Sequence, residues 1–420
     1  GIFAILPVPF SLHAAAEYSI ISPNSEKGMI NMKFSKRMDR FGESIFTVMK
    51  NRRTAVEARG QEVIDFSIGA PNIPPAPHIT KVLSEEALKP ENYLYAIVDL
   101  PELLEAVAQW YDRRYGVKLD PKTQITSVLG SQEGLSHVGL SILDEGDVVL
   151  LPEPCYPVFA DGTALAGAEL HYMPLKEENN YLIDLKAIPE DLARRAKLMI
   201  VSYPNNPTCA LAPDSFYDEL IAFAKKYDII VIHDNAYSEL VYDGNTCGSF
   251  LSHPGAMDVG VEFNSLSKTY GMAGARVGFC IGNPDVVGNL RTLKSNLDFG
   301  IFLPIQKAAI AAITGDQRCV QEVRAAYEAR RNYLVEELGK IGWHIQKPAG
   351  TMFVWAKIPS AYATSQDFCI ALLERAGVSV TPGSAFGALG EGYVRFALVR
   401  TQDEMKRAFA RIAESGVLEG

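Results

Sequence analysis

Four stretches of the chain hold polar residues that a packed core does not need, each placed directly after an apolar run. Ser265-Leu-Ser267-Lys268 follows Val261–Asn264 and sets two hydroxyls and an amine in one loop, with the Arg276 guanidinium eight residues further on. Asp234 closes the apolar run Ile229–His233, with Tyr237 three residues later. A carboxylate in that place loses solvation, which is costly unless a cation or good donors meet it. Gly130-Ser131-Gln132-Glu133-Gly134 lies where a strand turns into a helix, so backbone N–H groups and the helix dipole offer a site for an anion such as phosphate. Ser202-Tyr203-Pro204-Asn205-Asn206-Pro207-Thr208 presents the amide of Asn206 in a turn fixed by prolines. Taken singly, the glycine-flanked loop also reads as a plain structural turn and the Pro/Asn stretch as a plain reversal.

The elements that must position these residues emerge from the pattern around them. Between Asp120 and Gly282 short β-rich runs alternate with helical spacing, the signature of a mostly parallel sheet flanked by helices. Strands are predicted at Ile125–Leu129, Asp147–Leu151, Leu198–Ser202, Ile229–His233, Val261–Asn264 and Val277–Ile281. Leu135, Val138 and Ile142 recur at helical spacing, as do Phe216, Leu220 and Phe223, where Asp214 is placed to cap; both stripes are read as core faces. Beyond Pro304 the pattern becomes α+β: a long helix through Val320, Val323, Tyr327, Leu334 and Leu338, then strands at Gly350–Lys357 and Tyr393–Val399. The charges Arg324, Glu328, Arg330, Arg331, Glu336 and Glu337 are expected on a solvated face of that helix. A polar, helix-like segment at Ser35–Gly60 and a strand at Val63–Ile68 lead into the turn at Gly69.

In order and spacing, S-x-S-K-x-x-x-x-x-G-x-R-x-G at Ser265–Gly278, the preceding D-x-x-Y at Asp234–Tyr237 and N-P-T at Asn206–Thr208 resemble the class I/II, fold-type I pyridoxal-phosphate aminotransferases, from about Phe34 to Ala413. The resemblance implies an α/β fold, the cofactor pyridoxal 5′-phosphate (PLP), and ping-pong exchange of an amino group between an L-amino acid and a 2-oxo acid. It implies that Lys268 carries the cofactor as a Schiff base and shuttles the proton. It implies that Asp234 pairs with the ring nitrogen, while Tyr237 and Asn206 bond the ring oxygen. Gly130, Ser131, Gln132, Ser265, Ser267 and Arg276 are then expected at the phosphate, and Tyr156 stacked on the ring. By the same resemblance Arg395, in Gly392-Tyr393-Val394-Arg395-Phe396, grips the substrate α-carboxylate with Asn206 beside it and the Gly69 backbone assisting. Tyr93 or Tyr95 reaches the phosphate site of a second subunit, implying a homodimer with shared active sites. No metal ligand set is expected.

Stretches such as Ala236-Tyr237-Ser-Glu239-Leu, Val259-Gly-Val-Glu262-Phe and Pro304-Ile-Gln306 look like the subgroup of LL-diaminopimelate and related alanine- or aspartate-type aminotransferases. Cys209 stands where the family usually has glycine, Tyr203 where asparagine is common, and Asp99 where glycine is common. Arg291 and Lys294 are the nearest candidates for a second carboxylate-binding cation, but they read as exposed helix residues. A PLP-dependent C–S β-lyase is the alternative that uses the same Lys268 and Asp234, and a non-catalytic PLP-binding regulatory protein is a more distant one.

Composition bounds these readings. The 420 residues, at about 150 per domain, suggest two or three domains. With 48% hydrophobic and 21% charged residues the chain is of the globular class. Its 50 acidic against 40 basic side chains, net -10, work against nucleic acid or an anionic membrane as principal partner. Six cysteines with no CxxC pair fit a reducing cytoplasm. No apolar run reaches the roughly 18 residues of a membrane span. Residues 1–28 read as upstream or non-native sequence, with Met29 or Met32 as a natural start; two prolines and the absence of a basic leader set them apart from a signal peptide. The expected organisation is an N-terminal arm at 29–60, a discontinuous small domain at 61–75 and 304–420, and a large PLP-binding domain at 76–303.

Overall fold

The computed structural model describes residues 32–41 and 45–420, so the reading of residues 1–28 lies outside the described residues. The chain divides into units at Gly42/Glu43. In the shorter one, Lys36–Arg40 forms a 3₁₀ turn whose Arg37 N–H donates to Ser35 Oγ at 3.3 Å. The longer one carries the strands β1 (Ile64–Asp65), β2 (Ile125–Val128), β3 (Val148–Glu153), β4 (Glu169–Pro174), β5 (Ala196–Ser202), β6 (Ile230–Asp234), β7 (Gly260–Ser265), β8 (Gly278–Gly282), β9 (Phe353–Lys357), β10 (Val378–Ser379), β11 (Thr381–Pro382) and β12 (Tyr393–Ala397).

Seven of them form one sheet in the order β2-β8-β7-β6-β5-β3-β4. Strands β3 to β7 pair parallel, and β8 runs against both its neighbours. That reversed strand matters for the site. The loop entering β8 lies at the same edge as the loops leaving the other strands. Val128, Gly278 and Ser265 sit side by side in register, which brings the turn after β2, the segment before β8 and the end of β7 together. Ser202 likewise neighbours Asp234, and Asp234 neighbours Phe263.

Side chains alternate across the sheet. Leu150, Met199, Val201, Val231 and Ile281 face one way, onto Leu103 and Val107 of the helix Pro101–Tyr115 and Leu220 of the helix Asp214–Tyr227. Val149, Leu151, Leu198, Ile200 and Phe263 face the other, onto Leu135 and Val138 of the helix Ser131–Ile142. The helix Leu303–Thr314 adds Ala308, Ala309 and Ala312 to the former face. A separate core forms around the sheet β11-β12-β9 and the helices Ser365–Ala376 and Gln402–Ser415, the latter begun by a capping box between Thr401 and Glu404. Ile64 and Phe66 join this core, and β1 pairs parallel with β10. The helix Arg318–Lys340 serves both cores, Val320 in one and Val323 to Leu338 in the other.

Four expectations are corrected. β4 was not predicted, because it is an edge strand with exposed residues on both faces, Glu169 on one and Tyr172 on the other. Asp214 is the opening residue of its helix, with Pro213 in the cap position. Arg331 is fully buried, not solvated: its guanidinium donates to Asp243 at 2.6 and 3.0 Å and to the Pro348 carbonyl at 2.6 Å. Lys294 is also buried, its ammonium donating to Glu133 at 2.9 Å and Asp298 at 3.1 Å; Arg291 donates to the Lys122 and Ile125 carbonyls. His137 joins Glu133 and Asp298 in that cluster, where Lys294 already supplies the cation.

Candidate active site

The strand ends converge on a cavity of about 580 Å³. Gly69, Ser131, Gln132, Tyr156, Asn206, Asp234, Tyr237, Ser265, Ser267, Lys268, Arg276 and Arg395 all line it. Each arrives by a local device. Ser265 caps the short helix Leu266–Thr269 by accepting from the Ser267 N–H at 3.2 Å, and this turn points Lys268 into the cavity, where its ammonium donates to the Gly69 carbonyl at 2.8 Å. Gly130 opens the helix Ser131–Ile142 with φ 79°, and a Cβ there would lie 2.3 Å from Arg276 Nη2. Only glycine lets the guanidinium lie flat over the helix start. Gly278 is also restricted: a Cβ would meet the Asn264 carbonyl oxygen at 2.8 Å and the Ser131 backbone nitrogen at 3.0 Å.

At the other end of the cavity Arg395 is 5% exposed. Its Nη1 donates to Asn206 Oδ1 at 2.7 Å and its Nη2 to the Ser67 carbonyl at 3.2 Å. The guanidinium carbon lies 4.0 Å from the Phe353 ring centre and 4.5 Å from that of Phe386. The Tyr156 hydroxyl donates to Gln132 Oε1 at 3.0 Å, joining the helix start to the wall above it.

Electrostatically the site is tuned by burial. Asp234 is 5% exposed, and desolvation pushes its carboxyl up to about 6 against the opposing pull of His233 and Lys268. Lys268 is pushed down to about 8, by burial and then by the charges of Arg395 and Arg276. Burial lowers Arg395 to about 10 and holds the Tyr237 phenol well above its usual value, so Tyr237 stays a neutral donor. Asp234 Oδ1 has no hydrogen-bond partner although it is buried. A buried carboxylate oxygen without a donor invites one from a ligand.

Tyr93 and Tyr95 do not line the cavity. Tyr93 donates its hydroxyl to the Ala87 carbonyl at 2.8 Å and packs its ring on Phe302, whereas Tyr95 is 83% exposed. Sequence reading missed Phe353, Phe386, Ser67 and Asp161, which also line the cavity. It missed the buried network behind Asp234 as well. His233 Nδ1 lies 3.0 Å from Glu262 Oε2, and Glu262 also accepts from the Tyr111 hydroxyl, the Ser249 hydroxyl and the Phe250 N–H. A glutamate within an apolar strand, Val261-Glu262-Phe263, was the available signal.

The family model for Aminotransferase class I and II matches residues 61–412. An LL-diaminopimelate aminotransferase of Moorella thermoacetica is 45% identical over 91% of this chain and 98% of its own. Among solved structures, substrate-bound BacF of Bacillus subtilis superposes with TM-score 0.87 at 36% identity, covering 91% of this chain and 98% of its own. A probable N-succinyldiaminopimelate aminotransferase of Thermus thermophilus gives 0.84 at 36%, covering 89% and 100%. These relatives give the C–S lyase and regulatory readings no support. The match through nearly the whole length, in sequence and in fold, shows that the chain belongs to the class I and II aminotransferases and is a PLP-dependent transaminase.

Proposed function

We propose that this transaminase takes LL-diaminopimelate as amino donor and passes the amino group to a 2-oxo acid. The observation that carries the reading is the 45% identity to an LL-diaminopimelate aminotransferase over 91% of the chain. The cavity supports it. Among the described residues its basic side chains are Lys268, Arg276 and Arg395. That leaves no further cation of this chain for a simple dicarboxylate, while Asp161, Gln132 and Tyr156 offer mixed polar groups to a distal end bearing both an amine and a carboxylate.

The residues fit PLP on three observations: the partnerless Asp234 Oδ1, the glycine-shaped cradle under Arg276, and the amine of Lys268 lowered to about 8. When bound, the cofactor supplies an aldehyde carbon and a ring that accepts the electron pair left at the substrate α-carbon. With the cofactor bound, Lys268 Nζ would take the proton from the substrate α-carbon and deliver it to the carbon that had been the aldehyde carbon, a base of suitable strength at neutral pH. Asp234 holds a proton on the ring nitrogen. Tyr237 donates to the ring oxygen; Asn206, its Oδ1 engaged by Arg395, has its Nδ2 to offer there. The N–H groups at Gly130–Gln132, the hydroxyls of Ser265 and Ser267, and Arg276 hold the phosphate, and Tyr156 covers the ring. Arg395 and the Gly69 N–H orient the α-carboxylate, placing the α-proton toward Lys268.

The enzyme is proposed to act as a homodimer in the cytoplasm. Leu94, Tyr95, Ile97 and Val98 are 63–83% exposed, an apolar run that calls for cover. Tyr95, whose ring lies against Phe299, is the tyrosine proposed to reach the second subunit's phosphate site. All six cysteines are free, and no helix among the described residues is long and apolar enough to cross a membrane. The proposed lobes are 76–303 and, as one, 61–75 with 304–420; by its packing the helix Leu303–Thr314 leans to the larger.

Half-reaction spectra test the substrate. Loaded enzyme is mixed with LL-diaminopimelate, alanine, glutamate or aspartate without acceptor, and LL-diaminopimelate is expected to shift the cofactor band at the lowest concentration. A shift at lower concentration with any of the other three overturns the donor assignment.

A further inference from the structure

Eight described residues other than glycine have positive φ, and of these only Cys209 (φ 65°) and Thr351 (φ 69°) are buried. Left-handed backbone is costly for a residue with a Cβ, most of all a β-branched one. Such conformations persist where the surroundings impose them, and they gather at functional sites. These two residues, 142 positions apart, touch: the Thr351 hydroxyl donates to Cys209 Sγ at 3.3 Å.

Together they hold both backbone groups of Phe353. Its N–H donates to Thr351 Oγ1 at 3.1 Å, and the single proton of the Cys209 thiol is shared between the Phe353 carbonyl at 3.3 Å and that of Pro207 at 3.4 Å. Burial pushes that thiol up to about 12, so it keeps the proton it donates. Thr351 is itself pinned by its N–H to the Leu240 carbonyl at 2.7 Å and by the Tyr242 hydroxyl to its own carbonyl at 2.5 Å. The Phe353 ring then faces the substrate end of the cavity. It lies 4.0 Å from the Arg395 guanidinium carbon, and its Cε1 would be 2.6 Å from any Cβ at position 69.

We propose that Cys209 and Thr351 form a strained clasp that positions Phe353, and through its ring Arg395 and the Gly69 backbone, for the substrate α-carboxylate. Both are positioning residues, and the inference rests on the reading that Arg395 binds that carboxylate.

The test uses Cys209→Gly and Thr351→Gly, which relax the backbone and remove the side-chain bonds, with Cys209→Ala and Thr351→Ser beside them. Hydrogen exchange at the Phe353 amide is read in cofactor-free protein, and the Kd of a 2-methyl amino acid, which has no α-proton to lose, in loaded enzyme. Half-reaction KM and limiting rate complete the set. In the glycine variants Phe353 exchange is expected to quicken and both Kd and KM to rise about tenfold, the cost of one lost buried hydrogen bond. The limiting rate should stay within about threefold, and Thr351→Ser, which keeps the hydroxyl, should behave as the parent. Cys209→Ala, which loses the same thiol bond and keeps the left-handed backbone, should show a rise of similar size, and it carries the test if a glycine variant does not fold. Faster exchange with unchanged Kd and KM would reduce the clasp to a structural feature and overturn the proposal; unchanged exchange would overturn it too. Arg395→Lys separates the two premises: if it leaves Kd unaltered, the carboxylate reading fails, and with it the purpose assigned to the clasp.

Discussion

Lys268 offers the sharpest quantitative prediction. Burial and the neighbouring guanidinium groups lower its ammonium from 10.5 to about 8. At pH 7 roughly 9% of the side chain is then the free amine, against about 0.03% for an ordinary lysine, about 300-fold more nucleophile from the same residue. Isotopic competitive acetylation of cofactor-free enzyme, read by peptide mass spectrometry from pH 6 to 11, should give Lys268 a midpoint near 8. Arg395→Met removes the larger of the two repelling charges and should move the midpoint up. A midpoint near 10.5 in the parent, or no upward movement in Arg395→Met, would refute the reasoning. The same shift predicts a stability trend. Between about pH 8 and 10.5 the unfolded chain still binds a proton that folded Lys268 has released. Stability of the cofactor-free enzyme should therefore rise with pH across that window, by at most about 3 kcal/mol. Below pH 8 both states are protonated, and the cost of burying the ammonium is present in full.

Asp234 runs the opposite way: raised to about 6, it takes up a proton in the folded state before the unfolded chain does, so folding favours its neutral form between roughly pH 4 and 6. Cofactor affinity that depends on the ionised carboxylate should weaken about tenfold per pH unit below 6, and this component should vanish in Asp234→Asn; equal pH profiles in fluorescence titrations would rule it out. Glu262→Ala strips an acceptor from His233, Tyr111, Ser249 and Phe250, and denaturant unfolding should show a loss of about 3–5 kcal/mol, with a loss below 1 contradicting the network's importance. Gly130→Ala must displace Arg276 from the helix start and should raise the cofactor Kd at least about tenfold while costing only about 1 kcal/mol of stability; an unchanged Kd would remove Arg276 from the phosphate site. Leu94→Asp with Val98→Asp should yield monomers in sedimentation at micromolar concentration, and an intact dimer would place the interface elsewhere.

Most of this site was legible in the chain because its chemistry sits at strand ends, where an apolar run stops and a polar residue starts. Asp234, Lys268 and the Gly130 turn all obey that rule, and the structure gathers them through the register of β2, β8, β7 and β6. The features that could not be read depend on tertiary neighbours. Phe353 and Phe386 look like any core aromatic until Arg395 is found between them. Arg331 and Lys294 carry the composition of an exposed helix face, yet Asp243 in one case and Glu133 with Asp298 in the other allow them to be buried. The strand β4 alternates polar and apolar residues weakly because its outer edge has no partner. Cys209 was visible as a departure from glycine, but only the fold shows that its backbone is left-handed, the conformation that favours glycine.

The helix Arg318–Lys340 has a mechanical consequence. At 1.5 Å per residue its 23 residues span about 34 Å, with Val320 seated in the core of the large sheet and Val323, Tyr327, Leu334 and Leu338 in the other. It is also tied along its length to the segment that follows β6, Arg324 donating to Glu239 and Arg331 to Asp243. The aromatic floor beneath Arg395 belongs to the core that Val323 to Leu338 enter. The helix is therefore a strut, coupling the packing under the carboxylate end of the cavity to the sheet whose strand ends carry Asp234 and Lys268.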